Sequence, residues 1–476
     1  MRRPAKAFAQ RGLFVVLATA VLCWPLVYNR FPIVFGDSLL YSLTAFTGLS
    51  MAFRPSCYPY LLAAAGVFKS VTPLCIFQSL LAGVVLEIAL RRAAGLRWAG
   101  AVGVLFGLGL LTTVAWWTSS LMPDIFFGLA VLSAGLLGFA GNLTRTDRVL
   151  LWGILVISVE EHVALPPPLL LLAGLWVLLQ LVRRRRPTGA SLGILGVAAL
   201  GFVSYPALNA LTGHAFAPSD SSSKYILSRM AGDGLLDETD MLHFTANAPE
   251  RRADLLGRFH SLSTLPANVP LGYLSPQSAR TGAYSHDAQS PFVEWTSDPR
   301  LPSFGQMIVR NLKRRPLQNV RAVIAGTVRL MGSGGFPLFV EQMHPSPPMP
   351  ILAHDAHGFE ESRQNHAALH VAGWNVLITP TYWIFSIAAA GALLSSIRYR
   401  EAWKRVGTPL GAFILSFDVL HAATVYALSG DFPRYQSRVS WVVVLGGFLA
   451  VLSVVRTARA KEGGTRAGDH SPWRAV

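Results

Sequence analysis

Cysteine and charged side chains are both scarce in this chain of 476 residues. Its three cysteines, Cys23, Cys57 and Cys75, lie in or beside apolar segments, where a free cysteine usually behaves as a small buried hydrophobe. Their spacing fits neither a disulfide framework nor a zinc site. Only 14% of the residues are charged and 52% are hydrophobic, whereas a soluble domain carries about 25% charged residues. The composition therefore excludes an ordinary soluble protein and predicts a membrane protein.

Apolar runs long enough to cross a bilayer, about 17 residues or more, recur along the chain. Nine of them cover residues 12–28, 72–90, 99–118, 125–141, 166–182, 190–212, 373–397, 408–428 and 439–455. A tenth run, 149–165, contains the polar triplet Glu160-Glu161-His162. We therefore predict an all-α polytopic membrane protein with about ten membrane-spanning helices.

Positive charge is in excess, with 41 Lys and Arg against 25 Asp and Glu. In a soluble protein such basicity would suggest a nucleic-acid partner. In a membrane protein it can instead report orientation, so we ask which segments contain the Lys and Arg residues. If Met1 lies in the cytoplasm, the six cytoplasmic segments hold 22 of the basic residues and four of the acidic ones. This distribution follows the positive-inside rule and predicts cytoplasmic termini with no nucleic acid bound. It also favours a retained first helix over a cleaved signal peptide, although Ala18-Thr19-Ala20 resembles a cleavage site.

The predicted spans fall into two groups on either side of a long polar segment. Residues 1–212 contain seven spans, residues 213–372 form the polar segment, and residues 373–476 contain three spans and a basic tail. The polar segment holds nine of the twelve histidines and many Pro, Ser, Asp and Gly residues, which are typical of irregular structure in water. We predict one external domain of loops and helices there. The internal repeat that many transporters show is not visible.

Three segments have the pattern of helices that lie in the membrane interface. Within the first external loop, 29–71, residues 37–49 place apolar side chains on one helical face. A second helix is predicted from Pro59 to about Phe68, because proline suits the first helical position. A third amphipathic helix follows Pro316 in the external domain.

Asp37 is the first candidate for catalysis, because a carboxylate at the outer membrane face can act as general base toward a hydroxyl group or an amine. It lies in the sequence Phe35-Gly36-Asp37-Ser38-Leu39-Leu40-Tyr41, just before an interfacial helix. The alternative is that Asp37 only caps that helix. A reciprocal capping box is absent because position 40 is Leu, but a plain cap stays open, and the residue alone favours it.

Other residues form a pattern with Asp37. They are Tyr41, Arg54-Pro55, Tyr58-Pro59-Tyr60, Pro123-Asp124 before the fourth span, Glu160-Glu161-His162 between two short spans, and Asp431-Phe432-Pro433-Arg434-Tyr435 before the last span. Together they resemble the glycosyltransferase C superfamily, which includes the dolichyl-phosphate-mannose protein mannosyltransferases and the bacterial aminoarabinose transferase that modifies lipid A. The likeness covers residues 1–212 and, more weakly, 373–455.

The resemblance implies an inverting transferase that moves a sugar from a polyprenyl phosphate to an acceptor at the outer membrane face, with Asp37 as the catalytic residue. Protein mannosyltransferases often have Asp-Glu in the first loop, whereas this chain has Asp37-Ser38, so we expect a glycan or lipid acceptor. A guanidinium can bind the donor phosphate through two hydrogen bonds. The substrate-binding candidates are Tyr41, Arg54, Tyr58, Asp124, Glu161, His162, Arg434, Tyr435 and Arg438. A bacterial inner membrane is the preferred location.

Alternatives stay open for these residues and for the function. The arginines can anchor at the interface by snorkelling, Asp124 can cap the fourth span, and Glu161 can mark a wet helix end. A second hypothesis is a proton-coupled transporter or flippase of a lipid-linked glycan, because Asp418 and His421 lie three apart within a span, where ionisable residues are functional candidates. A buried pair that joins helices explains them equally well. A third is an inactive relative that serves as an assembly protein.

Other ionisable groups give weaker indications. Glu87 is predicted to form an exposed pair with Arg91 at the inner interface. The run Lys313-Arg314-Arg315 either is a solvated face or contacts anionic headgroups. A divalent metal is an optional cofactor, for which the candidate ligands are irregularly spaced: His354, Asp355, His357, His366 and His370.

Overall fold

The computed structural model describes residues 2–48, 57–219, 221–264, 276–293, 295, 298–338, 340 and 357–464. Regular structure in these residues is helical, apart from a bridge of extended backbone between Ile33 and Ser120. Among the described residues, six helices are long and apolar enough to cross a membrane, namely Phe8–Asn29, Thr72–Ala93, Gly189–Leu211, Val371–Arg398, Gly407–Ser429 and Pro433–Lys461. The predicted all-α class and membrane character are confirmed.

The helices follow the three predicted parts of the chain. The first part forms α1 (Arg2–Leu22), α2 (Trp24–Asn29), α3 (Gly36–Thr47), α4 (Tyr58–Gly66), α5 (Thr72–Glu87), α6 (Trp98–Leu111), α7 (Val114–Thr118), α8 (Ile125–Phe139), α9 (Arg145–Glu161), α10 (Pro166–Val182) and α11 (Gly189–Leu211). The middle part forms α12 (Ser222–Gly232), α13 (Glu238–Phe244), α14 (Pro249–Ser263), α15 (Pro276–His286), α16 (Phe304–Arg314) and α17 (Pro316–Met331). The last part forms α18 (Val371–Arg398), α19 (Gly407–Ser429) and α20 (Pro433–Gly464).

The other four predicted spans lie in shorter helices. Helices α6, α8, α9 and α10 have 14, 15, 17 and 17 residues, which is about 21 to 26 Å of helix against a hydrocarbon core of about 30 Å. The run 99–118 is interrupted between α6 and α7. There, the hydroxyls of Thr112 and Thr113 donate to the carbonyls of Leu108 and Ser437, both at 2.6 Å. Threonine hydroxyls that bind carbonyls compete with helix geometry, which accounts for the break.

Helices α18, α19 and α20 pack against one another, and α8 packs on α9, α19 and α20. A glycine brings α8 close to α20, because a Cβ at Gly128 would overlap the indole ring of Trp441. Trp441 is fully buried. Since residues three apart share a helical face, the same contact turns Arg438 toward α8.

At one end of the bundle, Arg11 of α1 joins two buried carboxylates. Its Nη1 lies 2.7 Å from Asp147 Oδ1, and its Nε lies 3.3 Å from Glu87 Oε2. Arg92 lies 3.8 Å from Glu87. The predicted exposed pair of Glu87 with Arg91 is wrong, because Glu87 is only 1% exposed and Arg91 stacks on an aromatic ring. Packing of α1 on α5 determines the partner, which spacing along one helix cannot reveal.

The middle part of the chain has a hydrophobic core of its own, formed by α12 to α16. Arg314 pairs there with Asp240, and Arg315 pairs with Asp237 and Asp240. Both arginines of the run 313–315 therefore have carboxylate partners within the protein, and contact of this run with headgroups stays a prediction. The carboxylates come from α13 and its N-cap, which are remote in sequence.

The three predicted interfacial segments are helical and form α3, α4 and α17. Helix α4 begins one residue before Pro59. Helix α17 exposes an apolar row at helical spacing, Leu317, Val320, Ile324 and Val328. The amphipathic pattern of this helix is therefore present as predicted.

Candidate functional site

The chain from the end of α2 to the start of α3 is tied to the segment that precedes α8. Backbone hydrogen bonds of 2.9 Å join Ile33 to this segment, one of them from the Leu121 N–H. The Ser38 hydroxyl donates to the Leu121 carbonyl at 2.7 Å. These contacts lie on either side of Asp37 in one segment and just before Asp124 in the other. Two carboxylates that are far apart in sequence are therefore brought to the same end of the bundle.

Asp37 lies within helix α3 and is not its cap. The N-cap position is Phe35, whose N–H donates to the Ser38 hydroxyl at 2.9 Å, and Asp37 lies in the first turn. Nη1 of Arg434, at the start of α20, donates to Asp37 Oδ2 at 2.5 Å. The N-cap alternative is therefore wrong, and the carboxylate faces one of the predicted phosphate-binding arginines.

Arg438 lies one turn beyond Arg434 on α20 and is fully buried. Its Nη1 lies 3.1 Å from His162 Nε2 and 3.7 Å from Asp124 Oδ1, and its guanidinium stacks on the ring of Phe127 at 3.7 Å. Its Nη2 has no hydrogen-bond partner in the described part of the chain. A buried donor without a partner costs free energy, and an anion in contact with Arg438 would remove this cost.

The histidine beside Arg438 supports the same interpretation. Nδ1 of His162 accepts a hydrogen bond from the Ala164 N–H at 3.2 Å. A neutral imidazole has one donor and one acceptor, so the proton then lies on Nε2, which faces a donor nitrogen of Arg438. An anion that contacts both side chains from the cavity would accept a hydrogen bond from each. His162 and Arg438 together therefore favour a negatively charged ligand.

A cavity of about 350 Å³ opens beside these side chains. His162, Arg434, Tyr435 and Arg438 line its polar part. The rest of its wall is mostly apolar and includes Val163, Pro167, Phe202, Val425 and Leu428. A cavity of this kind suits a molecule with an anionic group at one end and hydrocarbon at the other.

The middle part of the chain also contributes to the cavity, through Ser222 and Tyr225 of α12. Four other residues connect α12, α17 and α19 to the segment that leads into α20, and we call them the clasp: Asp233, Arg329, Tyr426 and Asp431. Arg329 donates to Asp431 Oδ2 and to the Tyr426 hydroxyl, both at 2.9 Å, and Tyr426 donates to Asp233 at 2.5 Å. Since Asp431 lies three residues before Arg434, the clasp holds the base of the arginine-bearing helix.

The electrostatics of the clasp favour a charged Arg329. Burial disfavours its charge, but the hydrogen bond with Asp431 and the nearby Tyr426, Asp431 and Asp233 together outweigh this effect and raise the pKa of Arg329. Burial raises the pKa of Asp233, while its hydrogen bond from Tyr426 and the nearby Arg229, at 3.2 Å, act in the opposite direction. The clasp is therefore an ion network that depends on Arg329.

Two predicted tyrosines support the loop and do not line the cavity. Tyr58 is fully buried, and its hydroxyl donates to Gln78 Oε1 at 3.1 Å. Its ring packs edge to face on Tyr41, with centroids 5.2 Å apart. Gln78 donates in turn to the carbonyls of Thr118 and Ser120. Tyr41 and Tyr58 thus stabilise the segment that positions Asp37 and Asp124.

Of the other predicted site residues, the structure describes Glu161 but not Arg54. Glu161 is 3% exposed at the end of α9, does not line the cavity, and its Oε2 has no hydrogen-bond partner in the ranges described above. Arg54 lies outside the described residues. Cys57, nearby, is no candidate nucleophile, since burial, followed by the charges of Glu161 and Glu160, raises the pKa of its thiol to about 11.

Asp418 and His421 tie helices together. Asp418 accepts hydrogen bonds from Gln436 Nε2 at 2.5 Å and from the Tyr382 hydroxyl at 3.2 Å. His421 Nε2 lies 2.9 Å from the Tyr435 carbonyl. These contacts join α18, α19 and α20, as expected for the structural alternative.

The optional metal site gains no support from the residues that the structure covers, among which no group of three His, Cys, Asp or Glu could hold a metal ion. His357 is exposed and lies 3.5 Å from Glu361. His354 and Asp355 lie outside the described residues.

Sequence reasoning missed Phe127, Arg329 and Asp233. Phe127 follows Asp124 by three residues, so helical spacing could have indicated a shared face. Arg329 was visible only as one of two arginines in an amphipathic helix, and Asp233 had no local signal.

No family model matches the chain, and neither a curated protein nor a solved structure is significantly similar to it.

Proposed function

We propose that this protein is an inverting membrane glycosyltransferase that moves a sugar from a polyprenyl phosphate to a glycan or lipid acceptor. In this proposal the four shorter apolar helices complete ten spans, both termini are cytoplasmic, and the middle part of the chain is an external domain. A bacterial inner membrane is the preferred location. The proposal agrees with the grouping of Asp37, Asp124, His162, Arg434 and Arg438 at one end of the bundle.

One observation carries the proposal. A carboxylate, Asp37, lies 2.5 Å from an arginine that lines a largely apolar cavity, and a second arginine in that cavity, Arg438, retains an unused buried donor. A lipid phosphate has the two features that such a cavity requires, an anionic group and a hydrocarbon chain. The neighbouring carboxylate supplies a group that can accept a proton.

The reaction would proceed by displacement at the anomeric carbon. The donor phosphate binds Arg438 and Arg434, and because it competes with Asp37 for Arg434, it frees the carboxylate to accept a proton. The acceptor oxygen attacks the anomeric carbon while the bond from this carbon to the phosphate oxygen breaks. The acceptor proton passes to Asp37, and the arginines stabilise the negative charge on the departing polyprenyl phosphate. Attack opposite to the leaving group inverts the configuration.

The test is the substitution Asp37→Asn, which preserves size and removes the base. Membranes that contain the full chain are supplied with polyprenyl-phosphate sugars, and release of free polyprenyl phosphate is followed by mass spectrometry. We expect the rate to fall by about 10² to 10⁴-fold. Near-normal release with Asp37→Asn would refute the assignment of the base.

Asp418→Asn is the matched carboxylate variant, and it also tests the transport alternative. Asp418 lies within a span and is bound by Gln436 and Tyr382. A transferase should retain most of its activity in Asp418→Asn, whereas a proton-coupled transporter should lose transport. Normal activity with Asp37→Asn together with loss in Asp418→Asn would favour the transporter.

A further inference from the structure

A second cavity lies at the opposite end of the bundle, where α19 begins and α20 approaches its end. It measures about 220 Å³ and is lined by Ala94, Arg405, Gly407, Ser453 and Arg456, among others. An adjoining cavity of about 380 Å³ is lined by Glu401, Lys404, Arg405, Thr457, Ala460 and Lys461. Four basic side chains therefore line two cavities that share Arg405.

The two arginines of this site have neutral partners. Arg405 Nε donates to the Thr457 hydroxyl at 3.1 Å, and Arg456 Nη1 donates to the Ala94 carbonyl at 2.8 Å. Neither arginine has a carboxylate partner in the part of the chain that is described. These contacts orient the guanidinium groups but do not neutralise them, so both can still bind an anion.

The carboxylate in the wall of the larger cavity does not change this balance. Glu401 lies in the wall of the larger cavity, where its Oε2 is 2.8 Å from Lys404 Nζ. Both side chains of that pair are more than half exposed, so the pair is screened by water. Glu401 thus pairs with Lys404. No carboxylate of the described residues neutralises Arg405 or Arg456.

The start of α19 adds to the positive potential. Gly407 lines the smaller cavity and is the first residue of a helix of 23 residues that has no side-chain cap. The partial positive charge of a helix N-terminus favours an anion. Ser453 lies close to Gly407 and supplies a hydroxyl in the same wall.

Position along α20 indicates the source of the anion. Arg434 and Arg456 lie on the same helix, 22 residues apart, which corresponds to about 33 Å at 1.5 Å per residue. This is close to the thickness of a hydrocarbon core, about 30 Å, so Arg456 reaches headgroup level on the other face. Trp403, beside the site, is 45% exposed, and exposed tryptophan is enriched at this level.

We propose that Arg405 and Arg456 form a binding site for the phosphate of an anionic lipid in the membrane leaflet opposite to the Asp37 site. Lys404 and Lys461 extend the site over the larger cavity, and the start of α19 faces the phosphate. The proposal rests on the membrane character of the chain and does not depend on glycosyl transfer.

The experiment measures lipid binding to the full chain in detergent by native mass spectrometry. Dioctanoyl phosphatidylglycerol is the anionic probe, dioctanoyl phosphatidylcholine is the zwitterionic control, and sodium phosphate is the soluble competitor. We expect tighter binding of the phosphatidylglycerol by about tenfold or more, since each nearby basic residue contributes to anionic lipid binding. We expect millimolar phosphate to leave this binding in place.

The variants are Arg405→Gln, Arg456→Gln and both together, with Arg459→Gln as the matched control. Arg459 is an exposed arginine on the same helix and lines neither cavity. The double variant should lose about tenfold or more of the phosphatidylglycerol binding, each single variant should lose part of it, and the control should keep it. Equal binding of both lipids, or unchanged binding in all the variants, would overturn the site. Displacement by millimolar phosphate would overturn the lipid as its source.

Discussion

Two clusters of buried charge at opposite ends of the bundle contain the same number of charges but differ in geometry. In the Arg11 cluster, formed by Arg11, Glu87, Arg92 and Asp147, one guanidinium lies within 3.3 Å of two carboxylates. In the Arg438 cluster, formed by Asp37, Asp124, Arg434 and Arg438, Arg438 lies 3.7 Å from Asp124 and contacts a histidine nitrogen and an aromatic ring.

This difference in geometry indicates a structural role for the Arg11 cluster and a functional role for the Arg438 cluster. Close pairing in the Arg11 cluster holds two buried carboxylates next to one guanidinium and so joins α1, α5 and α9. Arg438 instead lines a cavity, so its donor without a partner lies where a ligand can reach it. A charge count alone would not distinguish the two clusters, whereas distances and access to a cavity do. The variants below change one cluster at a time.

The largest expected effect is that of Arg438→Gln. Loss of the buried guanidinium removes the group that would stabilise the departing phosphate, so release of polyprenyl phosphate should fall by about 10² to 10³-fold. The unfolding temperature is measured in the same variant, because the guanidinium is fully buried and stacks on Phe127, and the rate is compared per folded molecule. An activity within about threefold of wild type would show that Arg438 does not contact the phosphate.

An intermediate effect is expected for Arg11→Gln, which leaves Glu87 and Asp147 buried without their shared partner. The free energy of unfolding should fall by about 1 to 3 kcal/mol, measured by denaturation of the purified protein. Activity per folded molecule should be unchanged. Loss of activity without loss of stability would contradict the structural role of this cluster.

The smallest effect is expected for Arg329→Gln in the clasp. Without its bond to Asp431, the segment before Arg434 is less well held, so the KM for the donor should rise by about tenfold with little change in kcat. Arg321→Gln is the matched control, because Arg321 is exposed on the same helix. An equal KM in both variants would limit the clasp to a structural role, and partial recovery in Arg329→Lys would support its ionic character.

The sequence predicted those parts of the fold that depend on the hydrophobic pattern of a single segment. Long apolar runs predicted the six helices that can span a membrane, and amphipathic spacing predicted α17. The break at Thr112 and Thr113 was not predictable, because it depends on a hydrogen bond to Ser437 more than 300 residues away. Which acid meets which base was equally hidden, as the replacement of Arg91 by Arg11 beside Glu87 shows.

The sequence predicted which residues belong to the candidate site but not which of them contact one another. Asp37, Asp124, His162, Arg434 and Arg438 are brought together as the sequence pattern suggested. The pattern did not indicate that Arg434 binds Asp37 directly, since that contact joins residues 397 positions apart. The clasp was hidden for the same reason, because its members come from four separate elements.

Structure determination of the full chain in lipid nanodiscs with an added polyprenyl phosphate tests the central claim most directly. We predict phosphate density within about 3.2 Å of Arg438 Nη2, next to Arg434 and Asp37, with the hydrocarbon chain along Phe202 and Leu428. Density beside Asp418 within the bundle, with the Arg438 cavity empty, would contradict the transferase and favour transport.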